Sequence, residues 1–272
     1  MKFIEKKLEH ELNVSKTHPL KEFFIYFSGV LFISLISFFL LGNFVDIFVD
    51  NLPKKHLRTM NNLLIQGTQK IPMAKQSTEE QRIQKILDKL VASSHMNNQK
   101  FTLKIQKGES MNAFAYPANI IVLLRPTIDA AKTENELAMV LGHELGHYSN
   151  YDHLKGMGRN IIFLGMSLLF FGQNNSITEF FKSTMDTVSL KFNRHQEQKA
   201  DSFGLDLLNK TYGHVEEAET FFTKMNLESP SGQSWMSKYM ETHPDIEVRI
   251  KRLRNMSLNR GYKLKGEVIN LN

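Results

Sequence analysis

The chain contains no cysteine. That excludes a disulfide framework, a thiolate metal site and a lipid anchor built on cysteine, so any metal must be held by His, Asp or Glu. Either redox compartment is compatible with this. Dense basic blocks are also lacking. The 34 basic residues against 28 acidic ones leave a net charge of +6, which suits an anionic membrane surface but gives no lysine-rich patch for nucleic acid. There is no internal repeat and no low-complexity stretch. With 272 residues, 42% of them hydrophobic, the chain is long enough for one globular domain of about 200 residues plus an appendage.

One stretch lacks charge altogether. "FFIYFSGVLFISLISFFLL", Phe23 to Leu41, has nineteen residues. At 1.5 Å per residue, a helix of this length crosses a hydrocarbon core of about 30 Å. A cleaved signal peptide is the alternative. The polar leader of twenty-two residues is long for that, and no small-x-small site follows. The reading is therefore an uncleaved, single-pass anchor. Lys6, Lys7, Lys16 and Lys21 precede it, while Lys54, Lys55 and Arg58 follow at a greater distance. The positive-inside bias favours a cytoplasmic amino terminus, with the following domain across the membrane. The expected organisation is a tail over 1–22, a transmembrane helix over 23–41, a connector over 42–75 and a folded domain over 76–272.

Within that domain, Ser77 and Glu80 form a capping box. Ile83, Ile86, Leu87, Leu90 and Val91 recur at helical spacing, which predicts a helix to about Ser94. "FTLKIQK" (Phe101 to Lys107) alternates like a strand. "NAFAYP" and "NIIVLLRP" read as two more extended segments, joined by a tight turn at Pro117-Ala118-Asn119. Thr133 and Glu136 suggest a second capping box, opening a helix to about Asn150. The apolar run Ile161 to Phe171 is too short to span a bilayer and reads as a buried or cleft-lining helix. A long helix is expected from about Ile177 to Lys210. The carboxy-terminal part reads as helical and basic, a solvated face or a contact for anionic lipid.

The helix after Thr133 carries "HELGH". His143 and His147 lie one turn apart on one face, so two imidazoles can grip one metal ion. Glu144 is rotated by about 100° from His143, where it can take a proton from bound water. Gly142 and Gly146 leave a bare patch for another backbone. A surface helix with two solvated histidines is the alternative, and a third ligand decides between them. "NRHQEQKADSFG" offers one. Glu197 and Asp201 stand four apart; Glu197 can complete a His₂Glu zinc site, and Asp201 can accept the N–H of a ligating histidine. Upstream, Asn112, Ala113 and Phe114 sit on an extended segment whose edge can pair with a peptide backbone by strand addition. His153, His195 and His214 are not expected as ligands.

Taken together, HExxH, ExxxD and "THP…R", preceded by "NAFA.P", resemble the membrane-associated gluzincins: the HtpX, BepA, Oma-type and type I CAAX prenyl protease family. The likeness covers roughly Ser77 to Met256. It implies an α+β, mainly α-helical, zincin-like metallopeptidase domain with a small edge β-sheet. It implies a zinc endopeptidase with one Zn²⁺ per chain held by His143, His147 and Glu197, Glu144 as general base and Asp201 behind the ligands. His243 would lie near the open zinc position, to stabilise the tetrahedral intermediate or to occupy the site in a resting form. Arg249 would be a structural or oxyanion-side partner; a helix-surface arginine is the alternative. The expected partners are misfolded or membrane-associated polypeptides and the lipid bilayer, at a bacterial inner membrane with the catalytic domain outside the cytoplasm. A zinc-bearing but silent, chaperone-like binder is the rival function. Two departures from the family stand out. The turn after NAFA.P has Ala118-Asn119 where glycine is common, and only one membrane span is expected.

Overall fold

The computed structural model describes residues 18–68, 77–172, 192–227, 243 and 245–271. The chain divides into two compact units, residues 1–44 and 45–272. The first holds most of helix α1 (Pro19–Asn51). Phe23, Phe24, Ile25, Tyr26 and Phe27 are all exposed there; five consecutive positions exceed one helical turn, so every face is apolar. Among the described residues no helix is long and apolar enough to cross a membrane. The side chains of Leu35, Phe38, Phe39 and Gly42, within the same apolar stretch, lie outside the description.

The second unit begins with the last turns of α1. The stretch expected as a connector is helical over much of its length: α2 runs Lys54–Thr68, and residues 69–76 lie outside the description. Helix α3 (Thr78–Ser93) starts at the reciprocal capping box read from the sequence, with Glu80 N–H donating to Ser77 Oγ at 3.1 Å and Ser77 N–H to Glu80 Oε2 at 2.9 Å. Its stripe of Ile83, Ile86, Leu87, Leu90 and Val91 is buried.

Strands β1 (Thr102–Gln106), β2 (Ala113–Tyr116) and β3 (Ile120–Leu124) form one sheet in the order β1-β3-β2. β1 and β3 run parallel, and β2 pairs antiparallel with β3, leaving β2 on an edge. The β2–β3 turn holds Ala118 at φ 68° and Asn119 at φ 59°. Asn tolerates this conformation through local hydrogen bonding; alanine pays about 1 kcal/mol for it. Helix α4 (Arg125–Ala130) follows directly.

Helix α5 (Glu134–Ser149) is buried from Asn135 to Tyr148. Its cap is half of what the sequence suggests. Thr133 Oγ1 accepts from Glu136 N–H at 3.2 Å, but Glu136 turns away, 2% exposed and paired with Lys224 Nζ at 2.5 Å. The amino end of α5 is closed by the carboxy-terminal tail instead: Glu134 N–H donates to Ile269 O at 2.7 Å and Leu271 N–H to Lys132 O at 3.0 Å. That tail is not helical after Asn259: a turn at 260–261 leads into irregular chain that forms one isolated bridge, Asn270 with Thr133.

Tyr151, at φ 57°, turns the chain into α6 (Asp152–Phe171). Helix α7 (Arg194–Tyr212) begins later than the hydrophobic pattern suggests. Asn193 caps it, accepting from His195 and Gln196 N–H at 3.0 Å, while Gln196 Oε1 reaches back to Asn193 N–H. This cap interrupts any single helix from 177 to 210; residues 177–191 lie outside the description. Helices α8 (Thr220–Leu227) and α9 (Ile246–Asn259) complete the unit.

α5 and α7 meet backbone to backbone. A Cβ on Gly146 would lie 2.8 Å from Ala200 Cα, and one on Gly204 would lie 2.9 Å from His143 N. The small residues at 142, 146, 200 and 204 permit this approach, which a methyl group would push apart. We expect Gly146→Ala to lose about 1–3 kcal/mol by overpacking, read by denaturant unfolding of the full chain in detergent. Gly165→Ala, where nothing lies within 4 Å of the added carbon, is the control and should not lose stability.

Candidate metal centre

Helical periodicity places His143 and His147 on one face of α5, and the close contact with α7 brings Glu197 and Asp201 opposite them. The two Nε2 atoms are 3.1 Å apart. Each ring turns its other nitrogen to a carboxylate: His143 Nδ1 lies 3.0 Å from Asp201 Oδ1, and His147 Nδ1 lies 2.9 Å from Asp152 Oδ2. A ring that donates Nδ1–H to a carboxylate presents a lone pair at Nε2. Two such lone pairs at 3.1 Å repel unless a proton on one ring or a metal ion stands between them. Tetrahedral zinc with Zn–N of about 2.0–2.1 Å sets two nitrogens roughly 3.3 Å apart.

Glu197 Oε1 lies 3.1 Å from His147 Nε2 and 2.9 Å from His243 Nδ1, which is itself 3.4 Å from His143 Nε2. One ligand atom from each of His143, His147, Glu197 and His243 lies within 4.8 Å of the others. Glu144 is 1% exposed, and its Oε2 has no hydrogen-bond partner among the described residues. The charges point the same way. Glu144, Asp152, Glu197 and Asp201 are buried carboxylates, and the cations buried with them are Arg249 and Lys155. A divalent cation balances this excess, so the donor set fits a metal ion, and hard N/O donors without thiolate fit zinc.

Arg249 is not a helix-surface residue. It is 1% exposed, with NH1 2.7 Å from Glu197 Oε2 and NH2 2.7 Å from Asp201 Oδ1. Burial alone would raise both carboxyl pKa values; the Arg249 charge beside them overrides it and holds both low. Burial, then Arg249, depresses His143. His147 goes the other way. Burial opposes its charge, but hydrogen bonds to Asp152 and Glu197 outweigh it and raise its pKa to about 10.

Of the residues named from sequence, His143, His147, Glu197, Asp201, His243 and Arg249 converge, with Glu144 beside them on α5. Thr242 and Pro244 lie outside the described residues. Asn112, Ala113 and Phe114 lie at the start of edge strand β2, not among the ligands. Asn112 is already committed to structure, its N–H donating to Thr127 Oγ1 at 2.7 Å and its carbonyl accepting from Leu124 N–H at 3.0 Å. His153 is buried against Tyr148, the rings stacked at 4.4 Å. His195 is exposed, and His214 pairs with Glu267 O at 3.0 Å.

Sequence reading missed two neighbours of His147. Asp152 is buried completely and bonded also to Gln196 Nε2 at 2.9 Å. Phe192 stacks on the His147 ring at 3.6 Å and contacts Tyr116 at the end of β2. The one signal for Asp152 was its place just after the HExxH helix.

A helix with HExxH, crossed by a helix that carries a glutamate and an aspartate one turn apart, is the arrangement of a zincin-like metallopeptidase. Peptidase family M48 matches residues 77–257, about two thirds of the chain, and the chain belongs to that family. It is similar to the mitochondrial metalloendopeptidase OMA1 of Arabidopsis thaliana, 28% identical over 60% of this chain and 33% of that protein. It is similar to a protease HtpX homolog of Streptococcus thermophilus, 25% identical over 54% of this chain and 64% of that one. It is also similar to metalloprotease LoiP of Escherichia coli, 26% identical over 62% of this chain and 68% of that one. The matches thus span from a third to about two thirds of these curated relatives.

Two outcomes follow. Asp152→Asn should weaken zinc binding about 10- to 100-fold, measured by chelator competition. A proton held on His147 must leave before a metal binds. Apparent zinc affinity should therefore keep rising with pH between 6 and 9, by about tenfold per unit for one displaced proton.

Proposed function

We propose that the chain is a zinc-dependent endopeptidase anchored in a membrane by residues 23–41. The observation that carries the reading is the meeting of His143, His147 and Glu197 beside the buried Glu144 Oε2, partnerless among the described residues. The names of its relatives, metalloendopeptidase and metalloprotease, support it. The apolar, all-round exposed face of α1 supports the anchor, because such a helix in water would leave a large hydrophobic area unpaid for by any partner.

In this reading His143, His147 and Glu197 hold the metal, and Asp201 and Asp152 fix the two imidazole tautomers. Zinc bound there supplies Lewis acidity and makes water acidic enough to be deprotonated near neutral pH. Glu144 takes the water proton and delivers it to the leaving amine as the peptide bond breaks. The edge of β2 holds the peptide in extended form, and Phe114 and Tyr116, half-buried, face its side chains. His243, in hydrogen-bond contact with Glu197, rests in the ligand cluster and moves aside to face the developing oxyanion. Arg249 keeps Glu197 ionised and in place. The tether restricts substrates to misfolded or membrane-associated proteins, which suits quality control at a bacterial inner membrane with the catalytic domain outside the cytoplasm.

The test uses the detergent-solubilised full chain and casein as an unfolded substrate. Wild type should cut. Glu144→Gln should retain zinc and lose about 10²- to 10⁴-fold or more in kcat, the usual range for a proton-transfer group. His243→Ala should still bind zinc and change the rate. Equal effects of wild type and Glu144→Gln would sink the peptidase reading in favour of a silent binder.

A further inference from the structure

Away from the metal site, a cleft of about 870 Å³ opens between the end of α1, α2, the loop after α3 and the β2–β3 turn. Its volume is that of a small-molecule site. Lys54, Arg58 and Lys100 line it together with His95, and its acidic member is Asp50. Asp50 is already paired with Lys155 at 2.8 Å. Lys54, Arg58 and Lys100 make no ion pair among the described residues. Their charges converge. Burial, then Lys54 and Arg58, holds the pKa of His95 below its ordinary value.

The floor asks for something different from an anion. Asn119 Nδ2 donates to Lys100 O at 3.1 Å, which fixes its Oδ1 as an acceptor. Tyr148 donates its hydroxyl to that Oδ1, and Asn61 Nδ2 donates to it at 3.3 Å. Asn61 must therefore turn its nitrogen toward Asn119. Its own Oδ1, in a side chain only 6% exposed, is left with no partner among the described residues. A buried acceptor of this kind calls for a donor.

We propose that the cleft binds a phosphate ester that also carries a hydroxyl or amine donor: the phosphate against Lys54, Arg58 and Lys100, the donor on Asn61 Oδ1. A phospholipid headgroup and a free phosphate ester share this chemistry. Lys54 stands thirteen residues past Leu41 in the chain, so a headgroup is within reach of the tether.

The experiment uses the full chain in neutral detergent. Acetylation rates of Lys54 and Lys100 are followed by mass spectrometry, with the exposed Lys107 and Lys265 as references. The probes are dioctanoyl phosphatidylglycerol, sn-glycerol 3-phosphate and inorganic phosphate. A bound probe should slow Lys54 and Lys100 about tenfold at ten times its dissociation constant and leave Lys107 and Lys265 unchanged. Protection by phosphatidylglycerol alone assigns a headgroup site; protection by glycerol 3-phosphate as well assigns a site for the ester whatever its source. Arg58→Gln should abolish the protection, and Asn61→Leu should reduce it for both esters. No saturable protection by either ester, equal slowing at Lys107 and Lys265, or protection unchanged in Arg58→Gln overturns the site. So does inorganic phosphate matching the esters with Asn61→Leu silent. None of these readouts depends on proteolysis, so a negative result here leaves the peptidase reading untouched.

Discussion

The contact on which the metal centre depends is the approach of α5 to α7 through Gly142, Gly146, Ala200 and Gly204. Only a near-bare backbone on both helices lets a glutamate and an aspartate from α7 reach histidines on α5. With Gly204 set against His143 N, Asp201 arrives beside Nδ1 of that same histidine, and Glu197, one turn earlier, arrives beside His147. The donor geometry is thus a consequence of packing. The half-formed cap of α5 fits the same pattern: Glu136 is spent on Lys224, and the carboxy-terminal tail satisfies the first N–H of the helix. A helix buried along almost its whole length leaves little water to do so.

Burial creates an electrostatic problem that the rest of the site answers. Carboxylates cannot stay ionised in an apolar interior without partners. Arg249 serves two of them at once because its planar guanidinium offers separate N–H groups to Glu197 and Asp201, each at 2.7 Å. A lysine would present one point charge and could not hold both. Lys155 has the matching role on the far side, 3.2 Å from Asp152 and 2.8 Å from Asp50. That places Asp50, in the last turn of α1, three contacts from His147.

What was legible in the sequence followed periodicity. His143 with His147, and Glu197 with Asp201, share faces because four residues make about one turn, and the stripe of α3 reads the same way. The three strands were legible from alternation and the Pro-Ala-Asn turn. The illegible parts cross element boundaries. Asp152 reaches His147 only because Tyr151 takes a left-handed conformation between two helices, which no helical spacing encodes. Arg249 entered as a structural or oxyanion-side partner through the family resemblance alone, with a surface arginine as the alternative, because its neighbours Lys251, Arg252 and Arg254 are basic; its burial is set by α7, far away in sequence. The start of α7 was misplaced because an apolar pattern ran through Asn193, whose side chain ends it. The carboxy-terminal tail has no alternation of its own, since it is ordered by the groups it caps.

The same packing that builds the centre also seals it. His143, His147, Glu197 and His243 are each no more than 1% exposed, so a peptide carbonyl cannot meet them in this arrangement. Parting α5 from α7 would strip His143 of Asp201 and His147 of Glu197, leaving buried polar groups without partners. Phe192 and His243 meet the cluster through rings 3.6 to 5.4 Å apart between centroids and through the His243–Glu197 hydrogen bond. Glu197, Asp201 and Asp152 keep their pairs with Arg249 and Lys155 whatever these two rings do. The fold therefore sets the four donors around one tightly packed pair of helices, and Phe192, stacked on His147, also meets Tyr116 at the end of the edge strand.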